Sequence, residues 1–341
     1  MVLAAVGDAV GYRGSRWEFQ KSDSIIHREF DALTKRRGCS GLHVDMRWRY
    51  SDDTVMHHAT ARGLLLSVAT ASCQGQAVAK QYKQCWRKMR GRSPGETCCK
   101  AIVSLLNKEC DNWDKKPFTD RGGGCGGAMR TACVGLAYPR LDELPDLIRA
   151  AVECCRITHH HPTAYLGAVT AAVFTSYALN DIPAREWGAR LLNDVIPAVK
   201  QYVSEAGREV GRNLAAFAYF ETAWTSYLKL RHILSPKEDD GPVFPTPYGA
   251  TERFVAVGPV RSIPPHLTHT LCSGEDSIDR SPSVVGAVQA AMTASSLPTT
   301  PCSAHVAAGC VSACLASCYF ACYQHRSLTE CTAVAAHRTS L

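Results

Sequence analysis

The 341-residue chain has no run of eighteen apolar residues, although 46% of it is hydrophobic. A helix that crosses a bilayer needs about that length of apolar residues, so no membrane span is expected. Strongly basic runs are missing too. The formal net charge of +7 is spread along the chain, which leaves nucleic-acid binding without an electrostatic footprint. Strand-like alternation of apolar and polar residues is almost absent, which disfavours sheet. The opening Met1-Val2-Leu3-Ala4-Ala5-Val6-Gly7-Asp8 has no basic stretch and meets an aspartate early, so it does not read as a secretory leader. The 17 cysteines are therefore expected as thiols in a reducing compartment, the cytoplasm, and not as a disulfide framework.

Charge is scarce in one place above all. From Ser281 to Leu341 only Arg326, Glu330 and Arg338 are fully charged, and the same stretch carries six cysteines. Upstream of about Arg253 the composition is that of an ordinary globular protein. Between Val255 and Thr300, Pro259, Pro264, Pro265, Pro282 and Pro298 interrupt any helix, and composition alone reads this stretch as linker or disorder. Cys310, Cys314, Cys318 and Cys322 recur every fourth residue. Structural zinc sites gather cysteine pairs from separate turns, so this stripe is not expected to hold zinc.

What is present reads as helix. Ser51-Asp52-Asp53 opens a helix running toward Leu66, with a capping hydroxyl and its acids in the first turn. Helical spacing recurs over Gln76–Met89, Ala128–Leu136, Leu144–Cys155, Tyr165–Leu179 and Trp187–Leu230. Loops are marked at Arg92-Ser93-Pro94-Gly95, Arg121-Gly122-Gly123-Gly124 and 236–242. The expectation is an all-α domain with length enough to bury a sizeable core.

Four segments could carry chemistry. Adjacent Asp52 and Asp53 repel unless a proton or cation lies between them, and hard divalent cations take carboxylate and hydroxyl oxygens. A helix cap explains the same residues. Gly122-Gly123-Gly124-Cys125-Gly126-Gly127 leads into Ala128-Met129-Arg130, and such loops let backbone N–H groups approach an anion. No Gly-Lys-Ser/Thr follows, so it is not a Walker A loop. A flexible connector is the plain alternative, and Cys125 there reads as packing or ligand contact. Thr158-His159-His160-His161-Pro162 cannot aim three imidazoles at one metal, so either one of them touches a ligand or the run is solvated. Gly7-Asp8-Ala9-Val10-Gly11-Tyr12, before Trp17-Glu18, reads alone as a helix end with a turn.

In their order along the chain, these segments resemble the ADP-ribosyl-acceptor hydrolase family, which has the ADP-ribosylglycohydrolase fold. The likeness extends through Tyr227-Leu228-Lys229-Leu230-Arg231 to about Arg253. It implies an all-α fold whose binuclear magnesium site hydrolyses the N-glycosidic bond between ADP-ribose and a protein arginine. By resemblance, Ser51, Asp52 and Asp53 match the first half of the metal site. Gly123, Gly124, Cys125, Gly126, Gly127 and Met129 line the ADP-ribose, His159 contacts it, and Glu18 matches an acid near the cleaved bond. The implied partners are arginine-ADP-ribosylated proteins and ADP-ribose, met by a monomer.

The likeness also has departures. Family members usually begin a few residues earlier, so Met1 is expected inside the first helix. The family's Gly-Trp-Gly-Gly-Ser-Ser-Gly-His-Asp loop, Ile-Ala-Tyr-Asp-Ala helix and His-Gly-Gly-Asp-Ser-Asp-Ser-Thr run, whose acids complete the metal pair, do not occur here. The genetic code offers a reason. Methionine is always ATG and threonine codons begin AC. Read one base earlier, Met292-Thr293 yields histidine, given a preceding C, and then aspartate. In the same register Val284–Ala291 is compatible with Ser-Gly-Trp-Gly-Gly-Ser-Ser-Gly, and Leu297–Ser303 with Ile-Ala-Tyr-Asp-Ala-Leu-Leu.

The expected organisation is thus an incomplete helical domain over residues 1–253. Residues 254–341 form an aberrant tail of low order, frame-shifted from about Val284, so the C-terminal part of the fold is missing or disordered. A non-catalytic ADP-ribose-binding or structural member of the family is the alternative, though retention of both Asp52 and Asp53 argues against it. Sequencing the transcript tests the frame: the family motifs are expected one base out of register after Arg253, and their absence from all three frames overturns this reading.

Overall fold

A computed structural model describes residues 1–17, 20, 23–35, 48–70, 73–106, 112–120, 122, 124–235 and 243. Glu18, Gly123, the 236–242 loop and the tail after Arg253 lie outside the described residues. Among those described there is helix and no strand, in line with the all-α expectation. None of the helices is long and apolar enough to cross a membrane.

The helix most nearly free of surface is α8 (Pro162–Leu179), which carries no charged side chain and buries fifteen of its residues. A helix apolar on every side must be wrapped by others. Around it lie α6 (Ala132–Ala137), α7 (Leu144–Arg156), α9 (Ala184–Arg190) and α12 (Phe217–Leu230). Phe174 of α8 sets its ring perpendicular to Trp224 at 5.9 Å and tilts against Trp187 at 5.2 Å, joining α8, α9 and α12 through aromatic edges. The paired helices α3 (Asp52–Thr70) and α4 (Gln74–Cys85) pack on the other side of this centre, with α5 (Glu96–Leu106) beside α4. Helix α1 (Val2–Tyr12) lies against α3, and α2 (Asp23–Thr34) adds Ile26 and Phe30 to a small cluster with Trp17. Met1 stands at the N-terminal edge of α1.

Three expected helices are divided. The stretch 76–89 passes at Trp86 from α4 into a 3₁₀ segment, Trp86–Lys88. The stretch 128–136 splits at Thr131 into a 3₁₀ segment, Cys125–Arg130, and α6. The Thr131 hydroxyl donates to the Ala168 carbonyl of α8 at 2.9 Å, which draws the chain out of α geometry at that point. The stretch from Trp187 to Leu230 is five elements. A π turn at Leu191–Val195 precedes α10 (Ile196–Ala206), where Pro197 cannot supply an N–H to a continuous ladder. Gly207, at φ +70°, ends α10, and α11 (Val210–Ala215) follows.

Helices α6 and α8 touch backbone to backbone. A Cβ on Gly135 would stand 2.1 Å from the Ala172 carbonyl oxygen, whereas one on Gly211 in α11 would meet nothing within 4 Å. Gly135→Ala is expected to destabilise the fold by about 3 kcal/mol through overpacking. Gly211→Ala is expected to stabilise it by about 0.5–1 kcal/mol through helix propensity. Urea unfolding of both variants checks the opposed signs.

Candidate active site

The first turn of α3 has four backbone N–H groups without intrahelical partners. Each finds one elsewhere. Ser51 N–H donates to both carboxylate oxygens of Asp8, at 3.1 and 3.0 Å, and Thr54 N–H to Asp8 Oδ2 at 3.2 Å. Asp53 N–H donates to Ser51 Oγ at 3.1 Å, and Asp52 N–H to the Arg92 carbonyl at 3.0 Å. The Thr54 hydroxyl adds a short hydrogen bond to Asp8 Oδ2. Asp8 is fully buried on α1, and Tyr12, one turn on, donates to the Gly91 carbonyl at 3.0 Å. Capping therefore falls to Asp8, Ser51 and Arg92. The carboxylates of Asp52 and Asp53 take no part in these four bonds, although both are buried beside them.

Asp8 is the residue that sequence reasoning missed. Its segment reads as a helix end, and 43 positions separate it from Ser51. The available signal was an acid inside an otherwise apolar helix, where a buried carboxylate must find donors.

One turn beyond Asp53, His57 Nε2 accepts the Cys133 backbone N–H at 3.1 Å. That bond ties α3 to the N-terminus of α6, just after the glycine loop. It requires a neutral imidazole with its proton on Nδ1, and burial lowers the His57 pKa to about 4.

The glycine loop then closes on α7 and α8. A Cβ on Gly127 would stand 2.2 Å from Cys155 Sγ, and one on Gly126 would stand 2.7 Å from His159 Cε1. Both glycines are packing requirements, so this end of the loop is not a slack connector. Ala128 and Met129 are buried, while Cys125 is partly buried against the core. Gly124 enters the turn extended, at φ −67° and ψ 162°.

Arg130 ends the turn with its side chain fully buried. One guanidinium nitrogen donates to the Cys154 and Cys155 carbonyls at 2.8 and 3.2 Å and to Thr158 Oγ1 at 2.7 Å. The guanidinium also lies over the Tyr82 ring at 4.6 Å. It thus caps the carbonyl end of α7, where the helix dipole favours a cation.

The three histidines diverge. His159 is buried against Gly126, and burial, with Arg130 and Lys116 nearby, pushes its pKa well below the usual value. His160 Nδ1 donates to the Lys116 carbonyl at 2.9 Å, and its Nε2 accepts from Asn213 at 3.1 Å. His161 Nδ1 accepts Thr163 N–H at 3.2 Å and caps α8 ahead of Pro162. The solvated-run alternative fails, because all three are held by the fold.

The oxygen donors Ser51, Asp52 and Asp53 suit a hard divalent cation in kind. Among the described residues, however, no group of three or more His, Cys, Asp or Glu side chains is assembled that could hold one. The eight described cysteines are all free thiols. A cavity of about 540 Å³ opens along α3 and α4 beside Tyr50, Thr54, His58, Arg62 and Lys88, and holds none of the expected site residues.

A family model described as ADP-ribosylglycohydrolase matches residues 1–329. The chain is 36% identical over 269 residues to the ADP-ribosylhydrolase ARH1 of Dictyostelium discoideum, across 73% of this chain and 67% of that protein. It is 29% identical over 187 residues to the mouse ADP-ribosylhydrolase ARH3, covering 54% of this chain and 49% of that one. The human ADP-ribosylhydrolase ARH3 gives 28% over 180 residues, covering 52% and 48%. The chain thus spans two thirds of the first relative's length and about half of each of the other two.

Asp8→Ala leaves the Ser51 and Thr54 donors buried without an acceptor. A stability loss of about 3 kcal/mol is expected in urea unfolding at neutral pH, with Asp8→Asn recovering part of it. Equal stability of Asp8→Ala and the parent chain would contradict the capping role.

Proposed function

The chain belongs to the ADP-ribosylglycohydrolase family, and from that membership we propose that its site is built for the N-glycosidic bond between ADP-ribose and a protein arginine. One observation supports this reading above the others: the hydrogen bond from Cys133 to His57 fastens the acidic start of α3 beside the glycine loop. Two segments some seventy positions apart thereby form one site, with carboxylates at one end and an anion-compatible loop at the other.

In the proposed reaction the bond from the ribose anomeric carbon to the arginine nitrogen breaks. Water oxygen adds to that carbon, and a proton passes to the departing guanidine, giving ADP-ribose and the protein with its arginine side chain unmodified. The loop from Gly123 to Met129 would lie along the diphosphate, where backbone N–H groups stabilise negative charge. His159, neutral and buried, would donate to the ligand. Glu18 is proposed as the acid near the cleaved bond. Ser51, Asp52 and Asp53 would hold magnesium, which when bound supplies electrophilic stabilisation at the ribose oxygens and activation of water.

The acids of the second half of a binuclear centre do not occur in this chain's sequence, so this polypeptide is proposed to bind magnesium weakly and to turn over little or not at all. The second reading, an ADP-ribose-binding member without catalysis, draws support from the incomplete ligand set among the described residues. The proposed location is the cytoplasm and the proposed state a monomer.

The test uses the full chain with magnesium and an arginine-ADP-ribosylated protein. Release of ADP-ribose is expected at the rate given by Asp52→Ala and Asp53→Ala. A faster release that either substitution abolishes overturns the proposed impairment. Calorimetry with ADP-ribose is expected to show binding, and its absence overturns the ligand reading.

A further inference from the structure

The Thr158 hydroxyl lies between a cation and an imidazole. Arg130 donates to Thr158 Oγ1 at 2.7 Å, and the same oxygen is 2.7 Å from His159 Nδ1. A hydroxyl has one proton to give. Cys98 Sγ lies beside it as a weak acceptor, and two stronger acceptors are in range. The Cys155 carbonyl is the farther, at 3.5 Å. It already accepts Thr158 N–H at 3.0 Å, His159 N–H at 2.9 Å and Arg130 at 3.2 Å. The guanidinium withdraws electron density from the threonine oxygen, which strengthens the hydroxyl as a donor and weakens it as an acceptor. The proton therefore goes to His159 Nδ1.

An imidazole that accepts at Nδ1 and is neutral carries its proton on Nε2. His159 Nε2 takes no part in the hydrogen bonds just described, and it lies 3.2 Å from where a Cβ on Gly126 would stand. Lacking that carbon, Gly126 lets the ring approach the loop. We infer that Arg130 and Thr158 are positioning residues, which lock His159 as the Nε2–H tautomer so that it presents a single fixed donor to a phosphate or ribose oxygen of ADP-ribose at the glycine loop.

Neighbouring histidines sharpen the contrast. His160 gives its Nδ1 proton to the Lys116 carbonyl, which can only accept, and takes a hydrogen bond at Nε2 from Asn213. His57 accepts at Nε2 from a backbone N–H and so also holds its proton on Nδ1. His159 and His160, adjacent in sequence, are thus expected as opposite tautomers. Burial beside Arg130 and Lys116 keeps His159 uncharged, and a protonated ring would lose its Nδ1 acceptor and repel the guanidinium. The donor at Nε2 suits an anionic or hydroxylic ligand and does not suit a metal ion, which needs a lone pair on that nitrogen.

The inference rests on the ADP-ribose reading of this loop, and imidazole nitrogen NMR separates the two. The full chain, labelled with ¹⁵N-histidine and assigned with His159→Gln, is expected to show His159 as Nε2–H and His160 as Nδ1–H. Thr158→Val is expected to release His159 to a tautomer mixture and to weaken ADP-ribose binding about tenfold. Thr158→Ser is expected to restore both. An Nδ1–H tautomer for His159 in the parent chain overturns the inference whatever the affinity. An intact tautomer that Thr158→Val leaves unchanged also overturns it. The Nε2–H tautomer in a chain that binds no ADP-ribose overturns the ADP-ribose reading and leaves the relay standing.

Discussion

The carboxylate of Asp8 sets the geometry on which the rest of the site depends. It is buried on α1 and receives the first-turn donors of α3 from Ser51 and Thr54. A negative group at a helix N-terminus is stabilised by the helix dipole as well as by its hydrogen bonds. Because Asp8 supplies that charge, the side chains of Asp52 and Asp53 are not consumed as caps. Three further steps inherit the position of α3. His57 carries it to α6, the turn before α6 carries it to Arg130, and Arg130 carries it to the end of α7 and to Thr158.

Arg130 is the counterpart of Asp8 at the opposite kind of helix end. A fully buried guanidinium is costly unless it is well partnered, and among the described residues it has no ion pair. Its partners are carbonyl oxygens at the C-terminus of α7, a hydroxyl and an aromatic face. Carbonyls there lack intrahelical donors, so one guanidinium nitrogen of Arg130 both finds acceptors and serves the helix end, while Arg130 Nε stays unpaired among the described residues. The anion and the cation nearest the site are thus each neutralised by backbone dipoles. Neither depends on a surface ion pair that salt would screen.

Much of this was legible in the sequence, and the failures have physical causes. Ser51 as a cap, the start of α3, and α7 and α8 followed from local rules that the structure keeps. The break at Thr131 was not legible, because a tertiary hydrogen bond to Ala168 decides it and spacing carries no trace of that bond. The fate of the three histidines was hidden for the same reason. His160 is held by Lys116 and Asn213, each more than forty positions away, and the partners of His159 and His161, although adjacent in sequence, are chosen by the same burial. Asp8, read in sequence as part of a helix end with a turn, was not legible as the cap of a helix whose Ser51 lies 43 positions away. Glu18 and Gly123, assigned by resemblance alone, lie outside the described residues.

The two ends of the candidate site are held by different forces. The acids of α3 are oriented by Asp8 and Ser51, whereas the loop is oriented by packing of Gly126 and Gly127 against His159 and Cys155 and by Arg130. A single hydrogen bond, Cys133 to His57, and the packing of α3 on the turn join them. None of these contacts uses a residue after Arg253. The contacts that hold the loop, its two glycines and His159 are thus made by residues upstream of that point. Under the proposed function, hydrolysis would need both ends of the site at once and recognition of the diphosphate mainly the loop, so a chain without the second set of acids would lose chemistry before binding.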